Sequence, residues 1–221
     1  MKAREWQRYL EEQIRVYDKR LFTVTELANA AGTSLSAVNV ELARLRKYGI
    51  IVRYSQGIYG LPGVATPEIL LPALDPHAYL TGGYALFRRH LAAQIPSRLL
   101  CFTDRRHGQA RVRRTEAGTF QFVCVRPPVY HPPAPGAVAE AEEALCDFVY
   151  ISRRSGAAPE ALVSFRNRER IRPARLRSAL KRYPKTVGIR VGMIMGSRIY
   201  LAGNSAWMRS RRVFSQSSPA T

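Results

Sequence analysis

The sequence predicts an α+β protein, an N-terminal winged helix-turn-helix followed by a mixed α/β unit. Three observations carry that reading. Residues 4–61 run helix, short helix, tight turn, longer helix, small hairpin. Small Ala28 falls where the two central helices must cross, and Gly32 follows four residues later, in the turn. Beyond Gly60-Leu61-Pro62-Gly63, a connection rich in breakers, helix-like and β-like segments mix without any internal repeat.

Taken in order, residues 4–18 place Trp6, Tyr9, Leu10, Gln13, Ile14 and Tyr17 at helical spacing on one face. Thr23 and Glu26 form a T-x-x-E capping box for a helix over Val24–Ala31, which Gly32 stops. Ser34 caps the next helix, whose stripe is Leu35, Val38, Leu42 and Leu45, and Tyr48-Gly49 ends it. Two apolar runs, 50–54 and 58–61, flank Ser55-Gln56-Gly57 and read as a hairpin, the wing.

In the second unit, Tyr79 to Leu91 reads as a helix capped by Thr81, and strands are expected at 98–103, 110–113 and 119–125. A helix is expected over 137–152, a short one over 159–165, and another from Pro173 with Leu176, Ala179, Leu180 and Tyr183 inward. Residues 188–194 and 198–201 read as short strands. The chain thus divides into a DNA-binding unit at 1–63, a basic α+β unit at 64–214 and a disordered tail at 215–221.

The formal net charge is +19, which makes a polyanion the expected partner, nucleic acid first. Residues 1–63 hold ten Lys/Arg against six Asp/Glu, whereas the remainder holds 25 against ten. Most of the excess therefore lies outside the presumed reading head. Its densest stretch is 164–185, with nine Lys/Arg and Glu169 alone. No apolar run is long enough to span a membrane, and the first residues lack a signal peptide's apolar core, so no membrane and a cytoplasmic location are expected.

No enzyme chemistry is expected. Cys101, Cys124 and Cys146 are widely spaced and read as buried free thiols; His77, His90, His107 and His131 lack metal-ligand spacing. Gly82-Gly83 opening a helix resembles a nucleotidyltransferase start, but that chemistry needs paired carboxylates for Mg²⁺. Only Asp104 follows, beside Arg105-Arg106. No metal and no cofactor are expected.

If Val38, Leu42 and Leu45 are buried, the opposite face of their helix is free to enter the major groove. Thr33, Ser34, Ser36, Ala37, Asn39 and Val40 are the candidate base readers there. Asn can pair bidentately with adenine, and Ala or Val can touch a thymine methyl. Arg44 and Lys47 are candidate phosphate contacts. On the wing the candidates are Arg53, Tyr54, Ser55 and Gln56. A second basic patch is expected from Arg166, Arg168, Arg170 and Arg172, continuing through Arg175, Arg177, Lys181 and Arg182.

Three blocks together resemble the AbiEi family of antitoxins from type IV toxin–antitoxin systems, over nearly the whole chain except the tail. They are the winged helix from Phe22 to Gly63, Tyr79-Leu80-Thr81-Gly82-Gly83-Tyr84-Ala85-Leu86, and the helix from Ala139 to Tyr150. In the last, Glu143 stands where the family usually has Lys. The resemblance implies a repressor that binds inverted repeats of double-stranded DNA in its own promoter. It also implies a second domain that assists DNA contact, and a nucleotidyltransferase-type toxin as functional partner. It assigns no base-contacting residue. Two alternatives stand beside it: a protein-binding antitoxin whose basic unit clamps an acidic toxin, and an RNA-binding module.

Overall fold

The computed structural model describes residues 2–133, 138–156 and 158–196 and has an α+β architecture. The N-terminal part contains α1 (Ala3–Tyr17), β1 (Phe22–Thr23), α2 (Val24–Ala31), α3 (Leu35–Lys47) and the wing strands β2 (Val52–Ser55) and β3 (Ile58–Gly60). Local chemistry sets its boundaries. The Thr23 hydroxyl accepts from the Glu26 amide at 3.2 Å, and the Glu26 carboxylate accepts from the Thr23 amide at 2.8 Å. Both satisfy donors that a helix start leaves open. Thr23→Ala is expected to lower stability by about 0.5–2 kcal/mol, read as an earlier urea midpoint at unchanged slope. Gly32 closes α2 at φ +60°, a backbone state that costs a residue with a Cβ. The Ser34 hydroxyl accepts from the Ala37 amide to start α3.

Val38, Leu42 and Leu45 are buried against Trp6, Leu10, Phe22, Leu27 and Tyr59, giving the first apolar cluster. Leu35, expected in the same stripe, is 51% exposed and joins no cluster. Tyr17 of α1 is likewise exposed. β3 pairs antiparallel with both β1 and β2, so the wing is one side of a three-stranded sheet.

The second part begins with α4 (Pro67–Leu74), a helix absent from the sequence expectation that carries Pro72 inside it. A four-stranded sheet follows in the order β4-β5-β7-β6, from β4 (Tyr79–Leu80), β5 (Leu99–Thr103), β6 (Val112–Thr115) and β7 (Gly118–Cys124). β5 and β7 are parallel and the other pairs antiparallel. The helices are α5 (Gly82–Arg88), α6 (Ala141–Arg154), α7 (Pro159–Leu162), α8 (Pro173–Leu180) and α9 (Lys185–Ile194).

Five expectations are corrected. Tyr79-Leu80 is a strand, and the helix begins only at Gly82. The Thr81 side chain does not cap α5; its hydroxyl turns to Asp147. Residues 108–111 form a 3-10 turn, so the strand expected at 110–113 starts two residues later. The helix expected from residue 137 starts at Ala141. Residues 188–194 are helical, because Val187, Val191 and Ile194 recur at 3.6 spacing behind Pro184, and that period buries one side. The strand expected at 198–201 and the tail at 215–221 lie outside the described residues.

The sheet is covered on both faces. On one, Leu99, Cys101, Phe120 and Phe122 pack with Leu70 and Leu71 of α4 and with Tyr54 of the wing. On the other, Phe102 packs with Leu145, Val149, Leu176 and Val191 from the helices. The cluster shared with Tyr54 ties the winged helix to the second unit.

Candidate nucleic-acid interface

α3 presents two opposite faces. Val38, Leu42 and Leu45 are at most 1% exposed, whereas Thr33, Ser34, Ser36, Ala37, Asn39 and Val40 are all exposed. Val40 is 65% exposed, an apolar side chain left uncovered among the described residues. The Ser34 hydroxyl is engaged as the cap and lies 3.0 Å from that of Ser36. Arg44 and Lys47 are exposed further along, Arg44 in an exposed pair with Glu41 at 3.2 Å. Such a pair contributes little and yields readily to a phosphate. The open amides at the start of α3 add a partial positive charge at the opposite end, beside Ser36 and Ala37.

On the wing, Arg53 and Gln56 are exposed and Ser55 is half-buried. Tyr54 must be removed from the contact set. It is 2% exposed, its hydroxyl donates to the Leu61 carbonyl at 2.7 Å, and it accepts from the Ala65 amide. Strand alternation places Arg53 outward and Tyr54 inward, and the second unit supplies the apolar partners that bury it. Between α3 and the wing runs a cleft of about 450 Å³ lined by Arg46, Lys47 and Arg53, with Glu116 of the β6–β7 turn at its border. Arg46 was missed; the run Arg44-Leu45-Arg46-Lys47, with only Leu45 inward, was the available signal.

The basic stretch 164–185 is less uniform than its sequence. Arg166, Arg168, Arg170, Arg172, Arg175, Arg177 and Lys181 are exposed by residue. However, the Arg168 guanidinium donates to the Ile194 carbonyl at 2.7 Å, at the end of α9. Arg182 is half-buried in an ion pair with Glu143 at 2.7 Å and serves the fold. Residues 166–172 lie on an irregular segment with a 3-10 turn, and only Arg175 and Arg177 stand on α8.

Two further polar networks are structural. Asp147 of α6 is fully buried and accepts from the hydroxyls of Thr81 at 2.6 Å and Tyr183 at 2.5 Å, with Tyr79 at 3.4 Å. Burial pushes its carboxyl up to about 7, against the two short hydrogen bonds, which hold it down. Asp75 accepts from the Thr103 hydroxyl at 2.6 Å and faces His107 Nε2 at 2.8 Å. Burial raises the Asp75 carboxyl, but the bonds from Thr103, His107 and the His77 amide outweigh it and leave it below its ordinary value. A guanidinium only donates, so Arg113, 3.0 Å from His107 Nδ1, makes that nitrogen the acceptor and leaves the proton on Nε2.

Cys101 and Cys146 are buried thiols that burial pushes up, whereas Cys124 is half-buried. Gly82 adopts φ +58°, and a Cβ there would meet Leu100 at 2.8 Å, so its glycine answers to packing. Asp104 is paired with His77 at 3.0 Å.

The fold and its exposed α3 face define a winged-helix protein fused to an α+β unit. No protein-family model matches the chain, and no curated protein matches it. Among solved structures, the chain is similar to the RV2827C protein from Mycobacterium tuberculosis, at a TM-score of 0.54 and 13% identity, covering 86% of this chain and 75% of that one. That likeness is one of fold. Among the described residues no helix is long and apolar enough to cross a membrane.

Proposed function

We propose that this protein is a sequence-specific DNA-binding repressor that acts as an antitoxin and regulates its own toxin–antitoxin operon. The observation that carries the reading is the free face of α3. Ser36, Ala37, Asn39 and Val40 stand together in solvent, on one side of a helix that buries Val38, Leu42 and Leu45 on the other. Polar groups matched to base edges, beside an uncovered methyl-bearing side chain, suit a major groove. The cleft cations Arg46, Lys47 and Arg53 flank that face, where the duplex backbone would pass. The antitoxin role and the pairing with a nucleotidyltransferase-type toxin rest on the resemblance to the AbiEi family. The second unit supplies further phosphate contacts from the exposed Arg170, Arg172, Arg175 and Arg177.

Filter-binding titrations with DNA from upstream of the coding sequence test this. Neutralising roughly 6–10 phosphates predicts an affinity loss of about 10³–10⁵ between 50 and 200 mM salt. An affinity that barely moves over that range would remove the duplex as the partner.

A further inference from the structure

A groove of about 530 Å³ opens at the far end of the β6–β7 ladder from the wing cleft. Its wall is the outer half of β7, Gln121 to Cys124. β6 pairs with β7 only as far as Gln121, and beyond that point the chain next to the strand is the 3-10 turn Gly108–Arg111. Four arginines border the space from four places in the chain. Arg98 precedes β5, Arg106 precedes the 3-10 turn, Arg111 ends it, and Arg154 ends α6. All four are exposed, and no carboxylate lines the groove. Arg154 lies 5.8 Å from the Tyr150 ring centre, while Arg98, Arg106 and Arg111 have no side-chain partner among the described residues. Val112 and Val123 add apolar surface, and Gln121 adds an amide that both donates and accepts.

We propose that this groove binds a small polyphosphate anion of the nucleotide class. Like charges converging without a counter-charge repel one another, and a multiply charged anion relieves that repulsion at all four sites. Guanidinium forks match phosphate oxygens bidentately. The volume falls within the roughly 300–1,000 Å³ of small-ligand pockets. The arginines ring a concavity instead of lining a ridge, which favours a compact ligand over a duplex backbone. The apolar wall and the Gln121 amide suit the flat, hydrogen-bonding part of a nucleotide. His107, another lining residue, donates to Asp75 and accepts from Arg113, which hold it in place at the groove's side. The proposal is independent of the DNA-reading role of α3.

Isothermal titration of the full chain with ATP, and separately with tripolyphosphate, tests it. Saturable binding of about one ATP per chain is expected, with tripolyphosphate displacing it. The double variant Arg98→Gln/Arg111→Gln should weaken ATP at least about tenfold with an unchanged melting temperature, since neither side chain has a partner to lose. Arg175→Gln/Arg177→Gln removes the same net charge elsewhere and should leave ATP affinity unchanged. Three results overturn the proposal: no saturable binding, equal weakening in both double variants, or loss of non-operator duplex binding that matches the loss of ATP in the groove variant. The last would make the groove a nucleic-acid contact.

Discussion

Asp147→Ala is expected to lower stability by about 3 kcal/mol and the melting temperature by roughly 6–12 °C for a chain of this size. The side chain is fully buried and joins three parts of the second unit: Thr81 at the entry to α5, Tyr183 after α8, and α6 itself. Alanine leaves two buried hydroxyls without an acceptor and opens a void, and each effect destabilises in its own right. Calorimetry measures the loss directly. A melting temperature within about 2 °C of wild type would mean that the hydroxyls find other partners.

The same residue makes stability depend on pH. In the folded chain burial raises its carboxyl to about 7, whereas unfolded it titrates at its ordinary value near 3.8. Between those values the folded state holds a proton that the unfolded state has released. Its contribution is therefore complete below about pH 4, declines as pH rises, and is gone above about pH 7. A shift of this size is worth on the order of 4 kcal/mol. Other carboxylates titrate in the same range, so the comparison that isolates it is wild type against Asp147→Asn. The difference between the two stability curves should slope from pH 4 to 7 and level off above. A flat difference from pH 4 to 7 would show that Asp147 is already ionised in the fold across that range.

The second large effect is on binding. Asn39→Ala should weaken operator affinity by about 1–3 kcal/mol, or roughly 5- to 150-fold, while leaving non-specific affinity in place. Asn39 is exposed midway along the free face of α3 and has no role in the core cluster, so the fold should be unaffected. Lys47→Ala should behave differently, lowering affinity for all sequences and reducing the salt slope by about one. If the two variants lose affinity equally on operator and shuffled DNA, Asn39 is only another backbone contact.

Much of the winged helix was legible in the sequence because short-range chemistry decides it. Thr23 and Glu26 satisfy each other's amides, Gly32 takes a conformation few residues accept, and Val38, Leu42 and Leu45 fall on one stripe whatever packs on them. Tyr54 was not legible. An aromatic beside Arg53 on a wing reads as a contact until α4 and the sheet, distant in sequence, cover it. Leu35 failed in the opposite sense, since periodicity assigned it to a core that does not reach the first turn of α3. The strand expected at 188–194 followed its β-branched residues, but burial followed the helical period of Val187, Val191 and Ile194. Asp147 showed no sign of its role, because a buried acid is defined by hydroxyls that arrive from residues 81 and 183. The four groove arginines escaped notice for the same reason: only the fold gathers Arg98, Arg106, Arg111 and Arg154.

The charge that first pointed to a polyanion therefore resolves into separate surfaces. Cations of α3 and the wing flank the exposed face of α3, the 164–185 stretch is partly committed to the fold through Arg168 and Arg182, and a third set rings a groove. Whether α3 reads sequence is best tested by competing two duplexes for the full chain at physiological salt. One carries the DNA upstream of the coding sequence and the other the same bases shuffled. A base-reading α3 predicts a preference of about 10³ or more for the first, reduced in Asn39→Ala. Equal affinity for the two duplexes would contradict it.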